Sequence, residues 1–314
     1  MSAFAGTSAS HETGRMIDIA APMDLRLPGG RVVNVYVDGP EDGTPLISHH
    51  GTPGAGVPMP SFVRAAAERG LRWVSYSRPG YGDSTRVEGR TVADCVPDVV
   101  AIADHLGADR FFTSGGSGGG PHALACAALL PDRVRGCAAI ASPAPWGAEG
   151  LDWLAGQGPE NLEEFAAVLE GPEALEAYLE RESVGLAAAN EPQELIDAFG
   201  TGLLPDVDRA AITGEFAATL IASSKRAVSN GVWGWFDDDM AFFRDWGFSL
   251  DVIGVPVALW QGKLDKMVPF AHGEWLAAHV AAARAELFDE HGHLSLAVTS
   301  FPRILDDLLA HALP

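Results

Sequence analysis

From Met23 onward the apolar positions follow two rhythms, and the chain divides according to which one it keeps. Met23-Asp24-Leu25-Arg26-Leu27 and Val32-Val33-Asn34-Val35-Tyr36-Val37 alternate apolar with polar residues on either side of Pro28-Gly29-Gly30. That period-two pattern predicts an antiparallel hairpin. After a second turn at Asp38–Thr44, Pro45–His50 is a short apolar run ending in Gly51-Thr52-Pro53-Gly54, which predicts a buried strand. Ser61–Gly70, with serine near its start and glycine at its end, predicts a helix, and Leu71–Ser77 another strand. Thr91–Leu106 sets Val92, Val96, Val99, Val100 and Ala103 at helical spacing behind an N-cap threonine. Arg110–Thr113, His122–Leu130 and Val134–Ala141 continue as strand, helix and strand. Such alternation calls for a parallel sheet covered by helices on both faces.

Between about Pro143 and Leu250 the strand rhythm stops. Leu162–Leu169, Pro172–Leu179, Pro192–Phe199, Val207–Ala222 and Asp237–Trp246 all carry helical spacing, with Gly and Pro between them. Alternation then resumes: Val255–Trp260 and Ala285–Phe288 as strands, Ala271–Ala283 and Ser295–Ala312 as helices. The expectation is an α/β fold of eight strands, mostly parallel, formed by residues 1–142 and 251–314. Residues 143–250 are expected as an inserted helical domain, and residues 1–15, small and polar, as a disordered leader.

Composition narrows the class. Of 314 residues, 47% are hydrophobic and 20% charged, which is globular. No apolar run reaches the ~18 residues that span a bilayer, and residues 1–15 lack the apolar segment of a signal peptide, so a cytoplasmic protein is expected. Cys95, Cys126 and Cys137 are an odd number without metal-ligand spacing, and are read as reduced, small apolar residues. A formal charge of −21 repels phosphate backbones and anionic lipid, so nucleic acid and membrane are not expected partners. The excess is concentrated: Ala144–Ser223 holds sixteen acidic residues against Arg181 and Arg209 alone, expected as solvated faces of the inserted helices.

The chemistry centres on Gly115-Gly116-Ser117-Gly118-Gly119, between an apolar Phe111-Phe112 and a helical run to Leu130. This is a G-x-S-x-G pattern at a strand-to-helix turn, where crowding requires neighbours without Cβ atoms. Four further stretches stand in order around it: His50-Gly51-Thr52-Pro53-Gly54, Arg78-Pro79-Gly80-Tyr81-Gly82-Asp83-Ser84, Gly262-Lys263-Leu264-Asp265-Lys266-Met267-Val268-Pro269, and Gly292-His293-Leu294-Ser295-Leu296. Together with the elements between them, they resemble the α/β-hydrolase fold with a helical cap, over nearly the whole chain beyond the leader.

The resemblance implies a serine hydrolase whose triad follows the chain order Ser, Asp, His. Ser117 would be the nucleophile, His293 the base that removes its proton, and Asp265 the group that orients the imidazole. The backbone N–H groups of Thr52 and Gly118 would receive the oxyanion. No carboxylate stands at Ser142-Pro143-Ala144, the other place where some members carry the acid. His291 is the nearest rival to His293, but His293 precedes the small apolar–serine pair typical of the family. His50 resembles the histidine that ties down the oxyanion loop. Arg78 and Asp83 are read as loop braces, and Asp237-Asp238-Asp239 as a solvated helix start rather than a metal site. Most aromatic residues of the insertion are expected in its own core, with one or two between Trp233 and Phe248 facing the substrate.

The activity expected is hydrolysis of a small or medium-sized carboxylic ester through an acyl-enzyme, without metal or cofactor. A proline iminopeptidase-like aminopeptidase is the alternative, since His50–Gly54 approaches that branch's oxyanion loop and glutamates of the insertion could bind an amino terminus. Gly118, where that branch has an aromatic residue, and Thr52, where it has glycine, depart from it. The fold also serves ligand receptors and non-hydrolytic enzymes. An aspartate nucleophile, as in epoxide hydrolases and dehalogenases, is excluded by Ser117.

Overall fold

The computed structural model describes residues 21–314; the expected leader lies outside them. Eight strands form one sheet in the order β1-β2-β4-β3-β5-β6-β7-β8. β1 (Met23–Arg26) and β2 (Val32–Asp38) are the expected hairpin, and β2 lies antiparallel to β4 (Leu71–Tyr76). From there β3 (Thr44–His49), β5 (Phe111–Gly116), β6 (Val134–Ile140), β7 (Val257–Gly262) and β8 (Ala283–Phe288) run parallel. Each central strand is buried on both faces, which explains its near-continuous apolar run.

Helices cover both faces. α2 (Val96–His105), α3 (Gly119–Leu129) and α10 (Phe270–His279) bury Val99, Ile102, Leu124 and Leu276 against one side. α1 (Pro60–Ala67) and α11 (His293–Ala310) bury Val63, Ile304, Leu305 and Leu308 against Leu46, Phe112 and Trp260 on the other. Between β6 and β7 the chain inserts α4 (Pro159–Glu170), α5 (Pro172–Ala188), α6 (Pro192–Phe199), α7 (Asp206–Ala211), α8 (Gly214–Ala227) and α9 (Trp233–Phe242). These have a cluster of their own around Leu175, Leu179, Leu195 and Trp235, into which Ala55 and Tyr81 of the sheet loops also pack.

Three differences from the sequence reading have local causes. The helix expected over 207–222 is two, because Thr213 is an extended N-cap and Gly214 starts the second with φ +53°. α5 runs on to Ala188: Gly185 does not end it but faces Ala198 of α6, whose Cβ would stand 3.2 Å from an added methyl, so the glycine serves helix packing. α9 begins at Trp233, four residues before the expected start, which moves Asp237, Asp238 and Asp239 from a helix terminus to its interior.

Candidate active site

The turn from β5 into α3 presents Ser117. Its φ is +55°, in the left-handed region that L-residues seldom occupy, and its N–H is held by Ile140 O at 2.9 Å. The strain therefore sits on the serine itself. The flanking glycines are needed for close approach instead: a Cβ on Gly115 would lie 2.0 Å from Gly119 O, and one on Gly119 would lie 2.2 Å from His49 O. α3 starts at once after Gly118, so its free N–H groups lie beside the serine.

After β7, the chain turns so that Asp265, buried, has every lone pair used. Oδ1 accepts the N–H groups of Met267 (2.9 Å) and Val268 (2.8 Å), and Oδ2 accepts Gln261 Nε2 (3.1 Å) and His293 Nδ1 (2.7 Å). His293 is the first residue of α11 and is buried. Donation from Nδ1 to a carboxylate leaves Nε2 as the acceptor of the neutral ring. Burial opposes charging His293, but the Asp265 carboxylate and its hydrogen bond, with a further contribution from Asp208, outweigh it, so its pKa lies above the ordinary histidine value. Among the described residues His291 has no such partner; its ring packs edge-on against Phe288, with centroids 5.4 Å apart.

Ser117, His293, Thr52 and Gly118 all line one cavity of about 260 Å³ beneath the inserted helices. No hydrogen bond joins Ser117 to His293 among the described residues, nor does any acceptor engage the backbone N–H of Thr52 or Gly118. Gly118 and Thr52 face each other closely, since a Cβ on Gly118 would fall 2.3 Å from Thr52 Oγ1.

The loop carrying Thr52 is fixed from behind by groups far away in sequence. His50 Nδ1 meets Gly51 O at 2.7 Å while Nε2 accepts the Arg78 N–H at 3.1 Å, which requires the neutral Nδ1–H tautomer. Burial, with Arg78 beside it, pushes the His50 pKa well below the usual value and keeps that tautomer neutral. Arg78, wholly buried, donates to His50 O, to Gly51 O (3.2 Å) and to Thr52 Oγ1 (3.0 Å). Its counter-ion is Asp238 of α9, at 2.6 Å, which also pairs with Arg90 (2.7 Å) and accepts Tyr81 Oη (2.9 Å) and Thr52 Oγ1 (2.6 Å). Burial works to raise the Asp238 pKa; the Arg78 and Arg90 guanidiniums outweigh it and hold the carboxyl well below its usual range.

The solvated helix start expected of Asp237–Asp239 is thus corrected. All three are buried, and they diverge as neighbours on a helix must. Asp237 pairs with Arg86 at 2.8 Å, Asp238 joins the ion cluster, and Asp239 faces the cavity. Arg78 is a brace, as expected, and Asp83 pairs at the surface with Arg226. Asp208 of α7, also buried, went unnoticed in the sequence because it sat in an acidic stretch; it accepts the N–H groups of His293, Leu294 and Ser295.

The model of the alpha/beta hydrolase fold matches residues 44–298. The chain belongs to that family. A proline iminopeptidase of Neisseria meningitidis is 27% identical over 296 residues, 88% of this chain and 92% of that one. Epoxide hydrolase B of Mycobacterium tuberculosis is 28% identical over 210 residues, 65% of this chain but 56% of that one, so the match spans about half of that relative. Among solved structures, a bromoperoxidase from Bacillus anthracis superposes with a TM-score of 0.67 over 92% of this chain and 99% of that one at 20% identity, a likeness of fold.

The cavity is lined by acidic side chains. Glu160, Glu164, Glu182, Asp197 and Asp239 line it, with no lysine or arginine among the lining residues. The acidity expected on solvated faces is therefore partly internal. Trp235 Nε1 donates to Glu164 Oε1 at 2.7 Å, whereas Asp239 Oδ2 has no hydrogen-bond partner among the described residues. Burial, reinforced by their mutual proximity, raises the pKa of Asp239 well above the carboxylate range, and burial also raises that of Glu164. Aromatic and aliphatic walls complete the cavity: Trp153, Phe165, Tyr178, Leu203, Trp235 and Phe242. Trp235 and Phe242 come from the aromatic group singled out in the sequence.

Proposed function

We propose that the protein is a cofactor-free serine hydrolase that cleaves a small or medium-sized carboxylic ester through an acyl-enzyme. The observation that carries this reading is the sharing of one cavity by a strained Ser117 and a His293 whose Nδ1 is held by buried Asp265. Ser117 Oγ attacks the ester carbonyl as its proton passes to His293 Nε2, and Asp265 stabilises the imidazolium. The N–H groups of Thr52 and Gly118 receive the oxyanion. Collapse of the tetrahedral adduct expels the alcohol, which takes the proton from His293. Water, deprotonated by the same ring, then cleaves the acyl-Ser117 ester and restores the hydroxyl. A cytoplasmic setting is part of this reading, supported by three buried, unpaired thiols.

The wall of carboxylates selects among esters: an anionic acyl or alcohol group would meet the like charge of its ionised members with no lysine or arginine in the lining to offset it, so neutral or cationic substrates fit. The same observation, with the similarity to a proline iminopeptidase along 88% of the chain, favours amides whose acyl residue carries a free N-terminal amine as the second class. A fluorophosphonate probe should label Ser117, and Ser117→Ala should remove labelling and turnover while the protein stays folded. Turnover by a folded Ser117→Ala variant refutes the reading. Comparing an aryl ester with an N-terminal prolyl amide separates the two classes.

A further inference from the structure

Asp208 is a carboxylate from the inserted helices that does not itself line the cavity and pairs with no cation among the described residues. It is fully buried, and a buried carboxylate must be satisfied by some set of donors. Its donors are three successive backbone N–H groups: His293 (2.7 Å) on one oxygen, Leu294 (3.1 Å) and Ser295 (2.8 Å) on the other. These are the first N–H groups of α11, which no helical carbonyl can reach. The sequence makes room for this at Gly292. Its φ of −94° and ψ of −155° suit any residue, yet a Cβ there would stand 2.4 Å from Asp208 Oδ2 and 2.6 Å from both Cγ and Oδ1. Glycine is required at 292 because the carboxylate occupies the space.

We propose that Asp208 is a positioning residue for the general base: by gathering the first three N–H groups of α11, it fixes the backbone from which His293 projects and makes base placement depend on the inserted helices. The proposal rests on His293 acting as the base. A helix N-terminus carries positive partial charge, and Asp208 compensates it directly at the residue whose side chain must become cationic. The charged groups set against the His293 ring are Asp265, from the turn after β7, and Asp208, from α7. His272 of α10 adds no charge at working pH, since burial lowers its pKa to about 4.

Two substitutions weigh charge against placement: Asp208→Asn loses the charge and at least one of the three hydrogen bonds, because its NH2 group cannot accept an N–H, whereas Asp208→Ala loses all three. Asp208→Asn keeps the shape and one acceptor oxygen but removes the charge. The His293 pKa should fall, because a group that favours the imidazolium has gone, and the acidic limb of kcat/KM, which reports the neutral ring of the free enzyme, should move to lower pH. Asp208→Ala removes all three hydrogen bonds and should lower plateau kcat by about tenfold to a hundredfold with KM little changed, as small misplacements of reacting groups do. Gly292→Ala should reproduce that loss by displacing the carboxylate, and should add little when Asp208 is already alanine. The His293 pKa is read by NMR titration of its ring, assigned with His293→Gln, so it is measured whether or not substrate turns over. An unmoved titration in Asp208→Asn, or plateau kcat within twofold of the parent for both folded Asp208→Ala and Gly292→Ala, overturns the proposal. Failure of the probe to label Ser117 in the parent instead sinks the hydrolase reading and leaves the titration result standing.

Discussion

Replacing Gly118 by alanine adds one methyl group at the point where the oxyanion loop meets the serine turn. Gly118 has φ −55° and ψ −12°, ordinary helical values, so alanine suffers no backbone strain and only the contact matters. The new Cβ would lie 2.3 Å from Thr52 Oγ1, 2.8 Å from Thr52 Cβ and 3.0 Å from Phe242 Cζ. Thr52 has little freedom to retreat, since Oγ1 is held by Asp238 at 2.6 Å and Arg78 at 3.0 Å. On the proposed mechanism, one of the two N–H groups must therefore move from where the oxyanion would form. Loss of one such donor costs about 10²–10³ in kcat, whereas overpacking of this kind costs about 1–3 kcal/mol in stability. In a protein of this size the latter is worth only about 2–4 °C per kcal/mol. The assay is kcat on a p-nitrophenyl ester beside a thermal melt. Thr52→Gly in the same chain removes the two closest atoms and should recover part of the lost rate. A Gly118→Ala enzyme that melts a few degrees lower but turns over at the parent rate would refute Thr52 and Gly118 as the paired donors.

Two further outcomes follow from the charges. Asp238→Ala leaves Arg78 and Arg90 buried without a counter-ion, and breaking a buried pair in this way costs about 3–5 kcal/mol; denaturant unfolding that shows a loss below about 1 kcal/mol would mean that water reaches the cluster. Burial and the neighbouring Glu164 favour the neutral form of Asp239, so Glu164 is the member of that pair that carries charge; Glu164→Gln should improve kcat/KM for esters bearing a carboxylate relative to matched neutral esters, and unchanged discrimination in that pair of assays would remove Glu164 from specificity.

The two rhythms of the chain made the sheet legible, because a strand buried on both faces needs a near-continuous apolar run, as Cys137–Ile140 supply in β6 and Val257–Trp260 in β7. Ser117, Asp265 and His293 stood out instead through the resemblance to the α/β-hydrolase family, in motifs that follow strand ends in the order that family keeps, and the structure sets the first and last along one cavity with Asp265 bonded to His293. The inserted helices were legible as helices but not as a site. Asp237, Asp238 and Asp239 find partners in Arg86, Arg78 and the cavity, and the first two of those ion pairs join residues 151 and 160 positions apart. No local pattern encodes such a separation. An acidic run looks the same whether solvent or two arginines lie beyond it, and net charge pointed to the commoner case. The one available signal was Arg78 and Arg90 themselves, in a chain with twice as many acidic as basic residues.

The same ties bear on where the molecule divides. By sequence, residues 143–250 are an insertion, and α9 belongs to it. By energetics it does not separate so simply. Lifting α9 from the sheet would part Asp238 from Arg78, Arg90 and Thr52, exposing or stranding charges whose burial is tolerable only as a set. Asp208 imposes a like condition on α7 through the start of α11. By contrast, the described contacts of α4 and α5 with the rest of the chain include no buried ion pair, and their outward faces carry the exposed carboxylates. On the proposed mechanism, the oxyanion side of the site is held by one carboxylate of the insertion and the base side by another, so the inserted helices would complete the reaction centre as well as roofing it. A chain lacking them would retain Ser117, Asp265 and His293 but leave Arg78 without its counter-ion and the first N–H groups of α11 without an acceptor.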